Sequence, residues 1–166
     1  MLVATKSFET VLHAIREALI RFGLDGTAPI ISAVSGGPDS LGLCLLMQQI
    51  ANEDGRQHRA VIINHGLREA AATEANIAAA AVAKFGITSE IVQLCEAKPS
   101  GGIQAFARKH RLSLLAAAGR ATGAIVCFGH HRLDQAETIY MRLSKASGLS
   151  GLAGMPELRV HEGCLF

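Results

Sequence analysis

Two short stretches of this chain group residue types that can act together on an anion. In Ser35-Gly36-Gly37-Pro38-Asp39-Ser40, two glycines, two hydroxyls and a carboxylate fall within six residues. The glycines let the backbone turn closely around a ligand with N–H groups pointing inward. Pro38 is tolerated near a helix start, where a missing N–H costs little, and Ser35 and Ser40 add hydroxyl donors. The product is a cradle for phosphate or pyrophosphate at a helix N-terminus. Asp39 would repel a phosphate unless a divalent cation lay between them, and Mg²⁺, which takes carboxylate and phosphate oxygens together, fits that gap. The Gly-Lys-Ser/Thr ending of a Walker A loop is missing, and so is the Gly-x-Gly-x-x-Gly dinucleotide fingerprint.

The second stretch is Gly129-His130-His131-Arg132-Leu133-Asp134-Gln135-Ala136-Glu137-Thr138. Asp134 and Glu137, three apart, share a helix face. They read either as first-turn carboxylates favoured by the helix dipole or as a paired-carboxylate site for an amine or a metal. Adjacent histidines in a loop seldom converge on one ion, so His130 and His131 read as polar loop or nucleotide contacts. Charge sharpens the picture. Residues 101–150 carry seven Lys or Arg against Asp134 and Glu137, whereas residues 1–100 carry eight against ten acids. A total of +2 therefore conceals one basic segment suited to meeting anions. Within it Arg108 and Arg111, at i and i+3, are either charge-stabilising groups or ordinary exposed helix residues.

These loops need elements to position them. Residues 7–22 read as an amphipathic helix, with Phe8, Leu12, Ile15, Leu19 and Phe22 at helical spacing and Gly23 as a stop. Short apolar runs at 29–34, 60–64, 90–94 and 124–128 read as strands, separated by helical stretches near 41–50, 73–85, 103–121 and 134–146. Strands alternating with helices every thirty residues or so build right-handed βαβ units. Continuous apolar strands point to burial on both faces. The expected fold class is α/β: a doubly wound, Rossmann-like parallel sheet with helices on both faces. Both chemical loops follow strand ends, where such sheets bind ligands. The tail 157–166 has the pattern to begin a further strand.

With 166 residues and 49% hydrophobic content, the chain is one domain-sized unit and is not disordered. Its apolar runs are too short to span a membrane, and its start lacks a secretory layout. Cys44, Cys95, Cys127 and Cys164 form no Cys-x-x-Cys pair. A zinc site is therefore not expected, and Cys44, Cys95 and Cys127, in apolar surroundings, read as buried thiols in a reducing, cytoplasmic setting rather than as a disulfide framework.

The Ser-Gly-Gly-x-Asp-Ser string resembles the pyrophosphate loop (PP-loop) of the N-type ATP pyrophosphatases. Four further segments resemble the tRNA(Ile)-lysidine synthetase family within that group: Asn64-His65-Gly66-Leu67-Arg68; Gly102-Ile103-Gln104-Ala105-Phe106-Ala107-Arg108-Lys109-His110-Arg111; the run His130-His131-x-x-Asp134-Gln135-Ala136-Glu137-Thr138 with Arg142; and Ser147-Gly148-Leu149-Ser150-Gly151-Leu152-Ala153-Gly154-Met155. Together they span about residues 30 to 156. The resemblance implies a ligase that adenylates the wobble cytidine of an isoleucine tRNA with ATP, releasing pyrophosphate. The ε-amine of free L-lysine then displaces AMP to give lysidine.

By the same resemblance, Ser35, Gly36, Gly37, Pro38, Asp39, Ser40, His65, Gly129 and His130 bind the nucleotide, and Asp39 positions Mg²⁺. Arg108 or Arg111 offsets charge in adenylation, and Asp134 and Glu137 receive the lysine ammonium. The implied partners are ATP, Mg²⁺, an isoleucine tRNA with a CAU anticodon and free L-lysine, with no membrane and with homodimerisation left open. Residues 1–27 are expected as an N-terminal helix packed on a PP-loop domain at 28–166, one that is truncated and lacks the family's C-terminal tRNA-binding domains. Two positions depart from the family pattern: Leu133 stands where a first Asp is frequent, and Leu112 where Tyr is common. The alternatives are cytidine thiolation by a related PP-loop enzyme, which normally needs a Cys-x-x-Cys element, and an ATP-binding module without turnover.

Overall fold

Four parallel strands, β1 (Ile30–Val34), β2 (His58–Asn64), β3 (Ser89–Gln93) and β4 (Ile125–Phe128), pair in the order β3-β2-β1-β4. The computed structural model describes residues 6–66, 70–94, 101–144, 148 and 152–166. Register is continuous across the sheet: Ile30 lies beside His58 on one side and Ile125 on the other, and Ala60 beside Ser89. From β1 the chain steps outward to β2 and β3, then returns to the far side of β1 for β4. The loops after β1 and β4 therefore flank the point where strand order reverses, and that topology opens a crevice between them.

Alternation along the strands feeds two cores. Val34, Ala60 and Ile62 pack with Cys44 of α2 (Pro38–Asp54) and with Ala75, Ala78 and Val82 of α3 (Ala71–Ala83). Ile31, Val61 and Val126 pack on the opposite face against Leu115 and Ala116 of α4 (Ile103–Thr122). Helices on both faces of an all-parallel sheet make the doubly wound α/β architecture that the sequence pattern predicts. The expectation of strands covered on both faces fails at β3. It has one strand neighbour, carries Ser89, Glu90 and Gln93, and leaves Ile91 exposed. Its place at the sheet edge, which the linear pattern does not encode, explains the difference.

The amphipathic first helix, α1 (Lys6–Arg21), buries Leu19 with Met47, Ile50 and Ile125, and Arg16 reaches Asp54 at 2.9 Å. Arg56 ties down the following turn from inside: its Nε–H donates to the Ala28 carbonyl at 2.7 Å and its Nη1–H to that of Leu24 at 2.9 Å. The tail forms a hairpin rather than a single strand, β5 (Val160–His161) with β6 (Cys164–Leu165). Both central turn residues, Glu162 and Gly163, take positive φ, as a type I′ turn requires. The hairpin docks on α4 through buried Cys164, and Ser113 donates to Glu162 at 2.6 Å. α5 (Arg132–Ser144) buries none of its described residues, and Leu133 and Tyr140 are 70% and 74% exposed.

A polar cluster links β1, β2 and α2 at the end of the sheet opposite the crevice. His58 Nε2 lies 2.9 Å from the fully buried Ser32 hydroxyl, and its Nδ1 2.8 Å from Gln48 Oε1. Burial pushes the His58 imidazole down to about 4 from an ordinary 6.5. Between those values the unfolded chain binds the extra proton, so stability is full above pH 6.5 and is lost as pH falls toward 4. The expected loss is on the order of 1–2 kcal/mol once solvent screening of a partly exposed ring is allowed for. Urea midpoints measured from pH 7 to pH 4 check this. The slope should flatten in His58→Gln, and an equal slope in that variant rules His58 out as its source.

Candidate functional site

A cleft of about 400 Å³ sits where the β1 and β4 loops meet. The first loop contributes Ser35, Gly37, Asp39 and Ser40, and the second Gly129, His130 and Asp134. His65 enters from the end of β2 and Arg111 from α4. Of the thirteen sequence-predicted site residues, nine line the cleft and Gly36 and Pro38 belong to the loop that shapes it, whereas Arg108 and Glu137 lie outside the lining.

The first loop is shaped by its own hydroxyls. Ser40 Oγ–H donates to the Gly37 carbonyl at 2.9 Å and accepts the Ser35 N–H at 3.2 Å, with Ser35 Oγ–H donating to it at 3.2 Å. Ser40, expected as a ligand donor, is thus occupied in holding the turn. Gly36 adopts φ +87°, a conformation that L side chains rarely take. α2 starts at Pro38 rather than at the expected 41, so Asp39 falls in its first turn, and its N-cap is Gly37 with no side-chain cap bond. A glycine N-cap leaves first-turn N–H groups open to an outside acceptor.

Gly129 lies close against this helix start. A Cβ on Gly129 would sit 2.8 Å from the Asp39 carbonyl oxygen and 2.9 Å from Ser40 Cα. No side chain fits between the two loops, so the residue after β4 must be glycine for the crevice to close to its present width.

His131, which opens α5, connects the two carboxylates. Its N–H donates to Asp134 Oδ2 at 2.7 Å, and the Asp134 N–H donates to its Nδ1 at 3.3 Å. This reciprocal pairing is a capping arrangement of the capping-box kind. The helix-start reading of Asp134 is therefore realised even though Asp134 also borders the cleft. The far nitrogen of His131, Nε2, lies 3.6 Å from Asp39 Oδ2. Spacing alone could not single out His131, because contact with Asp39 needs the two loops side by side. Glu137 is exposed and lies outside the cleft lining.

The two arginines separate. Arg111 lines the cleft, with a buried Nε that has no hydrogen-bond partner, and burial, then the nearby Arg108 charge, holds its pKa below the ordinary value. Arg108 is exposed and borders a neighbouring cavity. His130 stacks on Phe128 with rings 3° from parallel and centroids 5.4 Å apart. Burial lowers its pKa against the pull of Asp134, and Arg111, Arg108 and Arg159 push in the same direction as burial. A cavity lined by an unpaired buried guanidinium N–H and by a helix start without a side-chain cap suits a phosphate chain.

Two further motif segments turn out to be mechanically linked. Gln135 donates to the Met155 carbonyl at 2.8 Å and accepts the Met155 N–H at 2.7 Å, and Arg142 donates to the Gly154 carbonyl at 3.0 Å. After β2, Asn64 Oδ1 accepts the Gly66 N–H at 3.1 Å and so sets the turn that presents His65. Leu67 and Arg68 of that segment, Cys95, Ser147, and residues 149–151 of the glycine-punctuated segment lie outside the described residues. Cys44, Cys127 and Cys164 are free. Burial pushes the Cys44 thiol up to about 11 and the Cys127 thiol up to about 12, so both behave as protonated core groups, not nucleophiles. Among the described residues no helix is long and apolar enough to cross a membrane.

Residues 5–165 match the PP-loop domain family. The chain is 44% identical over 133 residues to the tRNA(Ile)-lysidine synthase of Novosphingobium aromaticivorans, covering 80% of this chain and 40% of that protein. It is 45% identical over 129 residues to the same enzyme of Rhodopseudomonas palustris, covering 76% and 37%. The chain thus spans about two fifths of the length of the curated relatives it matches. Among solved structures, the U34-tRNA thiolase NcsA from Methanococcus maripaludis, with its [4Fe-4S] cluster, superposes with a TM-score of 0.75 at 19% identity. That match covers 90% of this chain and 54% of that one, and it is a likeness of fold.

Proposed function

Because this chain belongs to the PP-loop domain family, which implies use of ATP, we propose that it is the catalytic core of a tRNA(Ile)-lysidine synthase. On this reading it ligates free L-lysine to the wobble cytidine of an isoleucine tRNA with a CAU anticodon, through an adenylated cytidine, releasing pyrophosphate and AMP in the cytoplasm. The observation that supports it most is the cleft itself, which is lined both by a helix start without a side-chain cap and by Arg111, whose buried Nε–H has no partner.

The residues present fit an ATP triphosphate with Mg²⁺. The backbone N–H groups of the 35–40 loop would hold the departing pyrophosphate, in a turn kept in shape by Ser35 and Ser40. Asp39, exposed in the first turn of α2, is the carboxylate for the cation. Bound Mg²⁺ would supply charge neutralisation between phosphate oxygens. Arg111 would stabilise charge developing as the cytidine oxygen is adenylated. His65, Gly129 and His130 complete the nucleotide walls. Asp134 would receive the lysine ammonium, with Glu137 drawn in from one turn further along α5, and either carboxylate could assist its deprotonation.

The test is release of pyrophosphate from ATP by this chain, measured with and without lysine and the CAU-anticodon tRNA. Release that requires both supports the reading. ATP binding with no release under those conditions replaces it with an ATP-binding module that does not turn over.

A further inference from the structure

The cleft has a neighbour that its chemistry does not use. A second cavity of about 610 Å³ shares Phe128 and His130 with it and extends beneath α1 and the C-terminal hairpin. Its floor is apolar, with Leu19, Met47, Ile125 and Leu165, and its rim is cationic, with Arg108, Arg132 and Arg159. A fourth rim arginine, Arg21, is already neutralised by Glu157 at 2.6 Å.

Arg159 is held in place by its surroundings. Its backbone pairs twice with Phe166, N–H to carbonyl at 3.0 Å and the reverse at 2.9 Å, and its guanidinium lies 5.4 Å from the Phe166 ring centroid. Phe166 stacks on Phe128 at 5.4 Å, which stacks on His130. A guanidinium lying over an aromatic face keeps its N–H edge free for an oxyanion. The charges crowd one another: burial first, then Arg108, lowers the pKa of both Arg111 and Arg159. Such a cluster of like charges is relieved by a bound anion. The ATP phosphates have their cradle in the 35–40 loop and Arg111, so this pair faces a different one.

We propose that Arg159 and Arg108 form a clamp for a backbone phosphodiester of the RNA substrate, placed at the mouth of the second cavity beside His130. The proposal rests on the reading that the substrate is RNA. It assigns a binding role to the C-terminal hairpin, which carries Arg159, and moves Arg108 from adenylation chemistry to substrate holding.

The probe is a labelled anticodon stem-loop RNA with a CAU anticodon, titrated with the full chain over a range of salt, beside ATP titrated calorimetrically. Arg159→Gln should weaken RNA binding by roughly 3–10-fold at about 0.1 M salt and reduce the slope of log K against log salt by about 0.7–1. ATP affinity should stay within about twofold. Arg159→Lys should keep most of the slope, because the charge remains, whereas a purely structural role would change affinity without changing the slope. Arg108→Gln should show a similar loss toward RNA.

Unchanged RNA affinity and slope in Arg159→Gln overturn the proposal, as does a matching loss of ATP affinity or a wild-type chain that binds no RNA. Its failure is separable from that of the lysidine reading. Salt-dependent RNA binding that Arg159→Gln weakens, together with no pyrophosphate release by the wild type, would leave the clamp standing and remove only the proposed reaction.

Discussion

Gly129→Ala is expected to lower the melting temperature by roughly 3–10 °C and to reduce ATP turnover about a hundredfold. The cause is steric. The new methyl would lie 2.8–2.9 Å from the Asp39 carbonyl group and Ser40 Cα, all backbone atoms that no rotamer change can move aside. Overpacking of this kind costs about 1–3 kcal/mol, which in a domain of this size converts to the stated shift. The activity loss follows from displacing the start of α2 against the β4 loop, since an error near 1 Å in a reacting geometry costs about 10²-fold. Gly42→Ala is the contrast. A Cβ there meets nothing within 4 Å, and the site is a helix interior, so that variant should gain about 0.5–1 kcal/mol. Thermal melts and pyrophosphate release on both proteins decide the matter. A normal cleft and normal turnover in Gly129→Ala would show that the two loops are not held by this contact.

Asp39→Asn is expected to reduce Mg²⁺-dependent ATP turnover by at least about a hundredfold while leaving the fold in place. The substitution keeps the shape and removes the charge that a divalent cation needs beside phosphate oxygens. Little structural cost is expected, because the Asp39 side chain is 59% exposed and its contact is His131 at 3.6 Å. Pyrophosphate release titrated with Mg²⁺, beside far-ultraviolet circular dichroism, gives the answer. Turnover that keeps the wild-type Mg²⁺ dependence removes Asp39 from the cation site.

Much of the fold was legible in the linear pattern. The alternating apolar runs and helical stretches correspond to the four parallel strands and five helices among the described residues, with boundaries shifted by a few residues. α2 shifts most at both ends: it begins at Pro38, because proline is preorganised for the first helical position, and it runs on to Asp54. The exposed face of β3 was hidden, since an apolar run reads the same at a sheet edge as at its centre. The hairpin at 160–165 was hidden as well, its strands being two residues each and stabilised by docking on α4.

The candidate site divides along the same line. Residue types and spacing already marked the 35–40 loop as a phosphate cradle and 129–138 as its companion, because backbone freedom, hydroxyls and a first-turn carboxylate are local properties. Which groups face the cleft is decided by how separate segments pack. Tertiary structure puts Arg111 inside with an unpaired Nε–H and Arg108 on another cavity, although they sit one turn apart on the same helix. It turns Asp134 into a helix cap, leaves Glu137 outside, and brings His131 to Asp39 across ninety residues of chain. It also carries Arg159, unremarkable in the linear sequence, to the edge of the same charge cluster. Residue period and composition carried the α/β class and a glycine- and serine-rich loop at a strand end. The reversal of strand order at β1 and β4 decided the rest, because only that packing sets the distances between groups far apart along the chain.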